Sequence, residues 1–244
     1  MNASPTTTTT PRLPARPAAK APARRLPAPA VAASPRLRRL VAVKAAVEFP
    51  LALALLAVAL PVILAALVAA KLTSRGPALY TQTRVGLNGK LFTIYKVRTM
   101  SHDCESLTGP RWSMPGDPRI TPLGRVLRKL HLDELPQLVN VLRGDMALVG
   151  PRPERPEIVA QLVRAVPTYG LRHVVKPGMT GFAQVHLPPD TDVQSVCNKV
   201  AYDRHYIRAM GPLKDLAIYA CTVFKVAGCQ SLYARPPRRP AGDE

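Results

Sequence analysis

The sequence predicts an α+β, mostly helical protein, with an N-terminal re-entrant membrane helix, a small β-hairpin and interfacial amphipathic helices gathered around a core. Three observations carry that expectation. Residues 45–70 form 26 consecutive positions with Glu48 as the sole charge, more than the roughly 20 apolar residues a membrane helix needs. Two β-prone runs flank the pair Asn88-Gly89, a strong short-range signal for a hairpin turn. Three later stretches repeat apolar residues at three- and four-residue spacing, the period of a helix with one apolar face.

The expected divisions are a disordered basic Pro/Ala-rich arm over 1–40, a re-entrant membrane helix over 41–72, one cytoplasmic domain over 73–232 and a flexible tail over 233–244. Residues 1–44 hold nine basic side chains and no acidic one, with eight prolines before residue 36 and five threonines from Thr6 to Thr10. Such a segment buries too little apolar surface to offset the entropy of ordering. It is also too long and too proline-rich for the basic region of a signal peptide. The whole chain carries 34 Lys+Arg against 15 Asp+Glu, a formal charge of +19, which suits an anionic membrane surface or a nucleic acid. Aromatic residues are only 5%, which weakens a nucleic-acid reading built on stacking platforms. Cys104, Cys197, Cys221 and Cys229 form no C-x-x-C pair, against a zinc ribbon, a redox motif or a secreted disulfide scaffold.

Within the apolar run, Pro61 removes a backbone donor and clashes with the preceding turn, so two arms are expected, 45–60 and 61–70, the second too short to span a bilayer. Arg36, Arg38, Arg39 and Lys44 precede the run, while Lys71, Arg75 and Arg84 follow it. Basic flanks prefer the cytoplasmic side, and a helix that enters one leaflet, bends at Pro61 and returns satisfies that preference at both ends. A kinked single span stays open as the alternative.

The hairpin is expected over Leu79–Val85 and Leu91–Val97. Gly86 to Lys90 has the wrong glycine spacing for a phosphate loop and opens a strand, not a helix. The first amphipathic helix places Leu123, Val126, Leu127 and Leu130 on one face with Arg125, Arg128 and Lys129 between them. The second runs through Leu135, Leu138, Val139 and Leu142 to Gly144, and the third through Leu213, Leu216, Ala217, Ala220, Val223 and Phe224. Each pattern fits a helix packed on a core or one docked at a membrane surface.

Candidate chemistry concentrates between Leu132 and Asn140. Asp133 suits a helix cap, Glu134 the first turn, and Pro136 is tolerated there. An acidic helix start needs no function. Here, however, Lys96, Arg98, Arg125, Arg128, Arg143 and Arg152 crowd the sequence on both sides. A carboxylate attacking a phosphoanhydride meets like-charge repulsion, so that chemistry requires Arg, Lys or Mg²⁺ close by. Gly150-Pro151-Arg152-Pro153 fixes the backbone around one guanidinium and lowers the entropy lost when it clamps an anion. Two adjacent carboxylates at one helix start do not flank a sugar ring as a glycosidase pair does.

Several motifs together resemble the bacterial sugar transferases, or monotopic phosphoglycosyl transferases. They are Gln82-Thr83-Arg84-Val85-Gly86, Phe92 with Tyr95 through Met100, Asp117 through Gly124, Leu132 through Leu138, Asn140 through Met146, Leu148 through Pro153, and Lys176 through Gly181. The similarity covers about Lys44 to Gly228. It implies transfer of a phospho-sugar from a nucleotide sugar, expected to be a UDP-sugar, to polyprenyl (undecaprenyl) phosphate, the first membrane step of a glycan such as exopolysaccharide, capsule, O-antigen or glycoprotein glycan. By the same resemblance Asp133 is the nucleophile that forms a covalent aspartyl phospho-sugar, Glu134 completes the dyad as proton acceptor or as a residue that orients Asp133, and Mg²⁺ binds at Asp133. Lys96, Arg98, Arg128 and Arg152 are the candidates for phosphate or nucleotide contact, with Pro151 and Gln137 from the same motifs, and Pro61 takes the place of the family's helix bend. The catalytic domain is expected on the cytoplasmic face of a bacterial inner membrane. The expected partners are a nucleotide sugar, polyprenyl phosphate and the lipid bilayer; no nucleic acid is expected, and homo-oligomerisation stays open.

The chain departs from the family pattern at Glu48, where Asp is usual, at Leu60, where a small polar residue often precedes the bend, and at His131, where Ser or Thr is frequent. His131 is an alternative proton carrier. The segment His186 to Asn198 follows the family poorly, which leaves the sugar unassigned. A membrane-anchored basic adaptor, or a scaffold of a glycan-assembly complex, is the competing reading, and it makes no demand on Asp133, Glu134 or Arg152.

Overall fold

A computed structural model of the protein describes residues 34–105, 109, 114 and 116–229. Of the predicted arm, residues 1–33 lie outside the described residues, as does the predicted tail over 233–244.

Helix α1 runs from Pro35 to Thr73. It starts at Pro35, not at residue 41, because Ser34 Oγ accepts from Leu37 N at 3.2 Å and Pro35 occupies a first-turn position whose N–H has no partner in any helix. It then continues as one helix through Pro50 and Pro61, so no non-helical break separates the two predicted arms. Packing on both sides of the prolines accounts for this. Leu37, Leu40 and Val41 sit against Val149, Tyr206 and Ile218, while Ala52, Leu56 and Ala59 meet Phe92, Leu138 and Val141. Ala66, Leu67 and Ala70 pack with Val97 and Leu127. Contacts on both sides of the prolines keep the helix continuous where a mid-helix proline alone would cost about 3 kcal/mol. The remaining surface of α1 stays apolar and exposed, as at Leu53, Val58, Leu60, Leu64 and Val68. Among the described residues α1 is the one helix long and apolar enough to cross a membrane, judged by length and composition.

The hairpin matches its prediction, with β1 (Leu79–Val85) antiparallel to β2 (Leu91–Val97) and Leu79 opposite Val97. Lys90 N donates to Leu87 O at 3.1 Å across Asn88 (φ 52°) and Gly89 (φ 73°). Both central residues are left-handed, as a hairpin turn of the primed type requires.

Helix α2 (Pro122–Lys129) is capped by Thr121, whose Oγ1 accepts from Gly124 N at 2.9 Å. A Cβ at Gly124 would stand 2.1 Å from Thr99 O, so only glycine lets α2 lie against the chain that follows β2. A 3₁₀ turn, Leu132–Glu134, leads to α3 (Gln137–Leu142). Fully buried Asn140 fastens α3 to the hairpin: its Oδ1 accepts from Tyr95 N at 3.1 Å and its Nδ2 donates to Thr93 O at 2.7 Å. Next come β3 (Ala147–Val149), α4 (Pro156–Ala165), a 3₁₀ stretch Tyr169–Val174 and β4 (Gly178–Thr180). The pair β3 and β4 is parallel, with Ala147 opposite Gly178, and was not predicted. Three-residue strands carry too few positions for an alternation to be read.

Helices α5 (Phe182–His186), α6 (Val193–Arg208) and α7 (Pro212–Val226) close the domain. In α7 the predicted apolar stripe faces outward: Leu213 is 82% exposed, Leu216 64% and Val223 67%, while Asp215 and Ile218 are buried. The inner face of α7 is tied to α1 by polar groups. Lys44 Nζ lies 2.7 Å from Glu48 Oε1 and 2.5 Å from Asp215 Oδ2, Tyr206 OH donates to Asp215 Oδ1 at 2.7 Å, and Tyr219 OH donates to Glu48 Oε1 at 3.1 Å. Val149 N also donates to Glu48 Oε1 at 3.1 Å. Buried charges persist only when paired and hydrogen-bonded, and this set fixes where the N-terminal part of α1 meets the domain.

Candidate active site

The turn between α2 and α3 presents the two carboxylates. His131 takes a left-handed conformation (φ 55°), which reverses the chain after α2 and sends Leu132–Glu134 back towards the hairpin. Its side chain is exposed. Asp133 is buried. Glu134 is met by two cations from separate elements: Lys96 of β2, with Nζ 2.8 Å from Oε1, and Arg152, with NH2 2.7 Å from Oε1 and NH1 3.4 Å from Oε2.

The electrostatics divide the dyad. Burial pushes the Asp133 carboxyl up, the Glu134 charge pushes it further, and Lys96, Arg128 and Arg152 pull against them; the net shift is upward. Burial also works to raise Glu134, but Arg152 and Lys96 overcome it and hold that carboxyl well below the usual range. Lys96 is lowered by burial despite Glu134, and Arg152 is raised by Glu134. The site therefore pairs a carboxylate held well below the usual range with a more basic one beside it.

Arg152 is set by its surroundings. Pro151 O accepts from Gly178 N at 2.9 Å, which joins the Pro-Arg-Pro segment to β4. A Cβ on Gly150 would lie 2.5 Å from Lys176 O, so the approach of these two segments depends on glycine. Behind them, fully buried Arg172 donates from NH2 to Arg152 O at 2.9 Å, and the same NH2 lies 2.8 Å from Asp203 Oδ2. Glu154 is shared between Arg84 (3.4 Å) and Lys199 (3.5 Å), and Lys199 also bonds Asp190 of the loop before α6.

Of the residues singled out from sequence, Lys96, Glu134 and Arg152 come together in direct contact. Asp133 and Arg128 lie within their field, Arg128 donating from Nε to Thr99 Oγ1 at 2.8 Å. Gln137 is nearly fully buried at the start of α3, and its Nε2 has no hydrogen-bond partner among the described residues, which leaves a donor for a ligand. Arg98 does not join the cluster. Its guanidinium is committed instead to the end of α1, donating from NH2 to Ala70 O (2.9 Å), Ser74 O (2.7 Å) and Ser74 Oγ (2.8 Å) and from NH1 to Pro77 O. A cation on the last carbonyls of a helix is a cap. Pro61 stands exposed on α1, outside the cluster.

Sequence reading missed Gln184, whose Oε1 accepts from Arg152 NH1 at 3.2 Å, and Lys225, whose Nζ donates to Gln184 O. It also missed Arg172. Neither a lone glutamine nor a lone lysine on a helix carries a spacing signal, so only the fold brings them here.

No group of three or more His, Cys, Asp or Glu side chains that could hold a metal ion occurs among the described residues. The donor set fits the usual mode of Mg²⁺, which binds through one or two carboxylates, several waters and substrate phosphates rather than in an all-protein cage.

A family model described as bacterial sugar transferase matches residues 39–229 of the chain. The chain is 43% identical over 199 residues, 81% of its own length and 72% of the relative's, to a UDP-glucose:undecaprenyl-phosphate glucose-1-phosphate transferase of Caulobacter vibrioides. It is 42% identical over 163 residues to a UDP-N-acetylgalactosamine-undecaprenyl-phosphate N-acetylgalactosaminephosphotransferase of Aeromonas hydrophila. It is 44% identical over 176 residues to an undecaprenyl-phosphate glucose phosphotransferase of Komagataeibacter xylinus. The matches cover 67% and 70% of this chain but only 38% and 33% of those last two relatives.

Proposed function

The chain belongs to the bacterial sugar transferase family, and from that premise we propose that it moves a sugar phosphate from a UDP-sugar to undecaprenyl phosphate at the cytoplasmic face of the inner membrane. The observation that carries the reading is the asymmetric dyad: a buried, more basic Asp133 beside a Glu134 locked between Lys96 and Arg152.

In the first half of the reaction an Asp133 carboxylate oxygen attacks the phosphorus that bears the sugar. A phosphorus–oxygen bond to Asp133 forms, the bond to the bridging oxygen of the diphosphate breaks, and the electron pair leaves on nucleoside monophosphate. In the second half a phosphate oxygen of the lipid attacks the same phosphorus, the bond to Asp133 breaks, and the carboxylate is regenerated as lipid diphosphate sugar departs. Arg152, Lys96 and Arg128 offset the meeting of negative charges, the largest obstacle to either step. Glu134, held far below the usual carboxylate range, is a weak base. We therefore assign it the placing of Lys96 and Arg152 and the raising of Asp133 basicity, in preference to proton acceptance. Mg²⁺, held by Asp133 and the substrate phosphates, would supply further neutralisation of the diphosphate.

Both ends of α1 contact the same domain, through Lys44 to Asp215 at one end and Ala70 to Arg98 at the other. That favours a helix that enters and leaves one leaflet over a full crossing. The outward apolar faces of α1 and α7 fit the interface where polyprenyl phosphate presents its head group. The test is transfer by the purified full chain with a panel of UDP-sugars, Mg²⁺ and undecaprenyl phosphate. Release of UMP in step with lipid-linked sugar supports the reading, and lipid or polyanion binding without release for any donor refutes it in favour of the adaptor.

A further inference from the structure

The rear wall of the site holds a cation that neither the dyad nor the Pro-Arg-Pro segment accounts for. Lys225 lies on α7 between Phe224 and Val226, which are 40% and 43% exposed on the outer apolar face. Its ammonium nonetheless turns inward and donates to Gln184 O, while the side chain of the same Gln184 accepts from Arg152 NH1 at 3.2 Å. One glutamine thus joins a lysine of the surface helix to the arginine that grips Glu134.

A lysine in the last turn of a helix is ordinarily explained by the helix's own terminal carbonyls. Lys225 donates instead to a carbonyl of α5. No carboxylate forms an ion pair with it among the described residues. Burial, and then the neighbouring Arg152 charge, lower its affinity for a proton, with Glu134 opposing. Two cations drawn together in a half-buried place, one of them without an acidic partner, are offset when an anion arrives between them. Lysine, a compact charge with three donors, suits a phosphate.

We propose that Lys225, with Arg152 and Gln184, receives the phosphate of the lipid acceptor at the seam between the catalytic cluster and the outer apolar face of α7. This rests on the transferase reading above. The seam has apolar surface on one side, at Phe224 and Val226, which flank Lys225 on α7 and are 40% and 43% exposed, and guanidinium and ammonium groups on the other. A phosphate monoester with a hydrocarbon tail matches both sides; a nucleotide sugar, which has no such tail, matches one. Lys225 acts in the second half of the reaction, where an oxygen of the acceptor phosphate attacks the phosphorus on Asp133. The new diphosphate bond forms, the bond to Asp133 breaks with its electron pair returning to the carboxylate, and Lys225 offsets the charge that two meeting phosphates bring together.

The experiment compares wild type, Lys225→Gln and Lys225→Arg as purified full chains in one detergent, varying the UDP-sugar and undecaprenyl phosphate independently. In a two-step exchange kcat/KM for the donor reports the first half and kcat/KM for the acceptor the second. Loss of one charge-assisted hydrogen bond to phosphate should lower the acceptor kcat/KM of K225Q by about 10- to 100-fold. Its donor kcat/KM should stay within about twofold, and K225R should restore most of the acceptor value. An unchanged acceptor kcat/KM, an equal fall for both substrates, or a K225R no better than K225Q overturns the proposal. A wild-type chain that makes no lipid-linked sugar would instead defeat the transferase reading, which separates the two failures.

Discussion

Replacing Glu134 with Gln removes the anion that holds Lys96 and Arg152 together. In the native site Glu134 lies 2.8 Å from Lys96 and 2.7 Å from Arg152, with the Lys96 and Glu134 side chains 16% and 15% exposed and Arg152 40%. Removing one partner of a buried ion pair costs about 3–5 kcal/mol because the other charge is left uncompensated. Arg152 has water to turn to, which screens its share, so about 3 kcal/mol is expected for E134Q and about 2 kcal/mol for K96M, where Arg152 remains on Glu134. The double variant should lose about 3.5 kcal/mol rather than the roughly 5 of independent sites, a coupling of about 1.5 kcal/mol. Unfolding of the four proteins in one detergent, by denaturant or by heat, reads this out. At about 2–4 °C per kcal/mol, E134Q should melt roughly 6–12 °C below wild type. Losses that add to within about 0.5 kcal/mol would refute the account of a single clamped unit.

Three further outcomes are expected. In the proposed mechanism Asp133 reacts as the carboxylate, and with its proton affinity raised donor kcat/KM should fall as pH drops through a value above the ordinary aspartate range of about 3.9; E134Q, lacking the neighbouring charge, should move that limb to lower pH, and an unmoved limb contradicts the assignment. Gly150→Ala would place a Cβ 2.5 Å from Lys176 O and 2.8 Å from Gly178 N, so a loss of about 3 kcal/mol or more with displaced Arg152 is expected, read by unfolding and by donor KM. Cysteines substituted for Arg36 and Arg75, at the two ends of α1, should react with an impermeant thiol reagent from the same side of sealed vesicles; labelling from opposite sides would establish a crossing.

Strong local signals transferred well from sequence to fold. The Asn-Gly turn marked both ends of β1 and β2, since the left-handed geometry at Asn88 and Gly89 admits few other residues. The period of three and four located α2, α3 and α7, but it said nothing of what each face meets, and in α7 the apolar stripe looks outward. Pro61 was read as a break because local chemistry disfavours it, whereas packing at Ala52 and Ala66 on either side keeps α1 continuous. The start of α1 is legible in Ser34-Pro35, a capping serine followed by a first-turn proline. In the site, Lys96, Glu134 and Arg152, singled out from motifs spread over residues 96–152, stand in contact, with Asp133 beside them. Arg98 joins them in sequence by charge and motif, although its partners are carbonyls at the end of α1. Gln184, Arg172 and Lys225 enter only through contacts between distant segments, such as the 2.9 Å bond from Arg172 to the Arg152 carbonyl, and spacing along the chain cannot show these.

The proposed bond between Asp133 and phosphorus is open to direct measurement. Incubating the full chain with a UDP-sugar and Mg²⁺ in the absence of lipid acceptor, quenching rapidly and mapping the intact mass to peptides should show one sugar phosphate on the peptide carrying Asp133, lost on adding undecaprenyl phosphate and absent in Asp133→Asn. A wild-type protein that turns over without ever carrying that mass, or an Asp133→Asn protein that still makes lipid-linked sugar at the native rate, would contradict it.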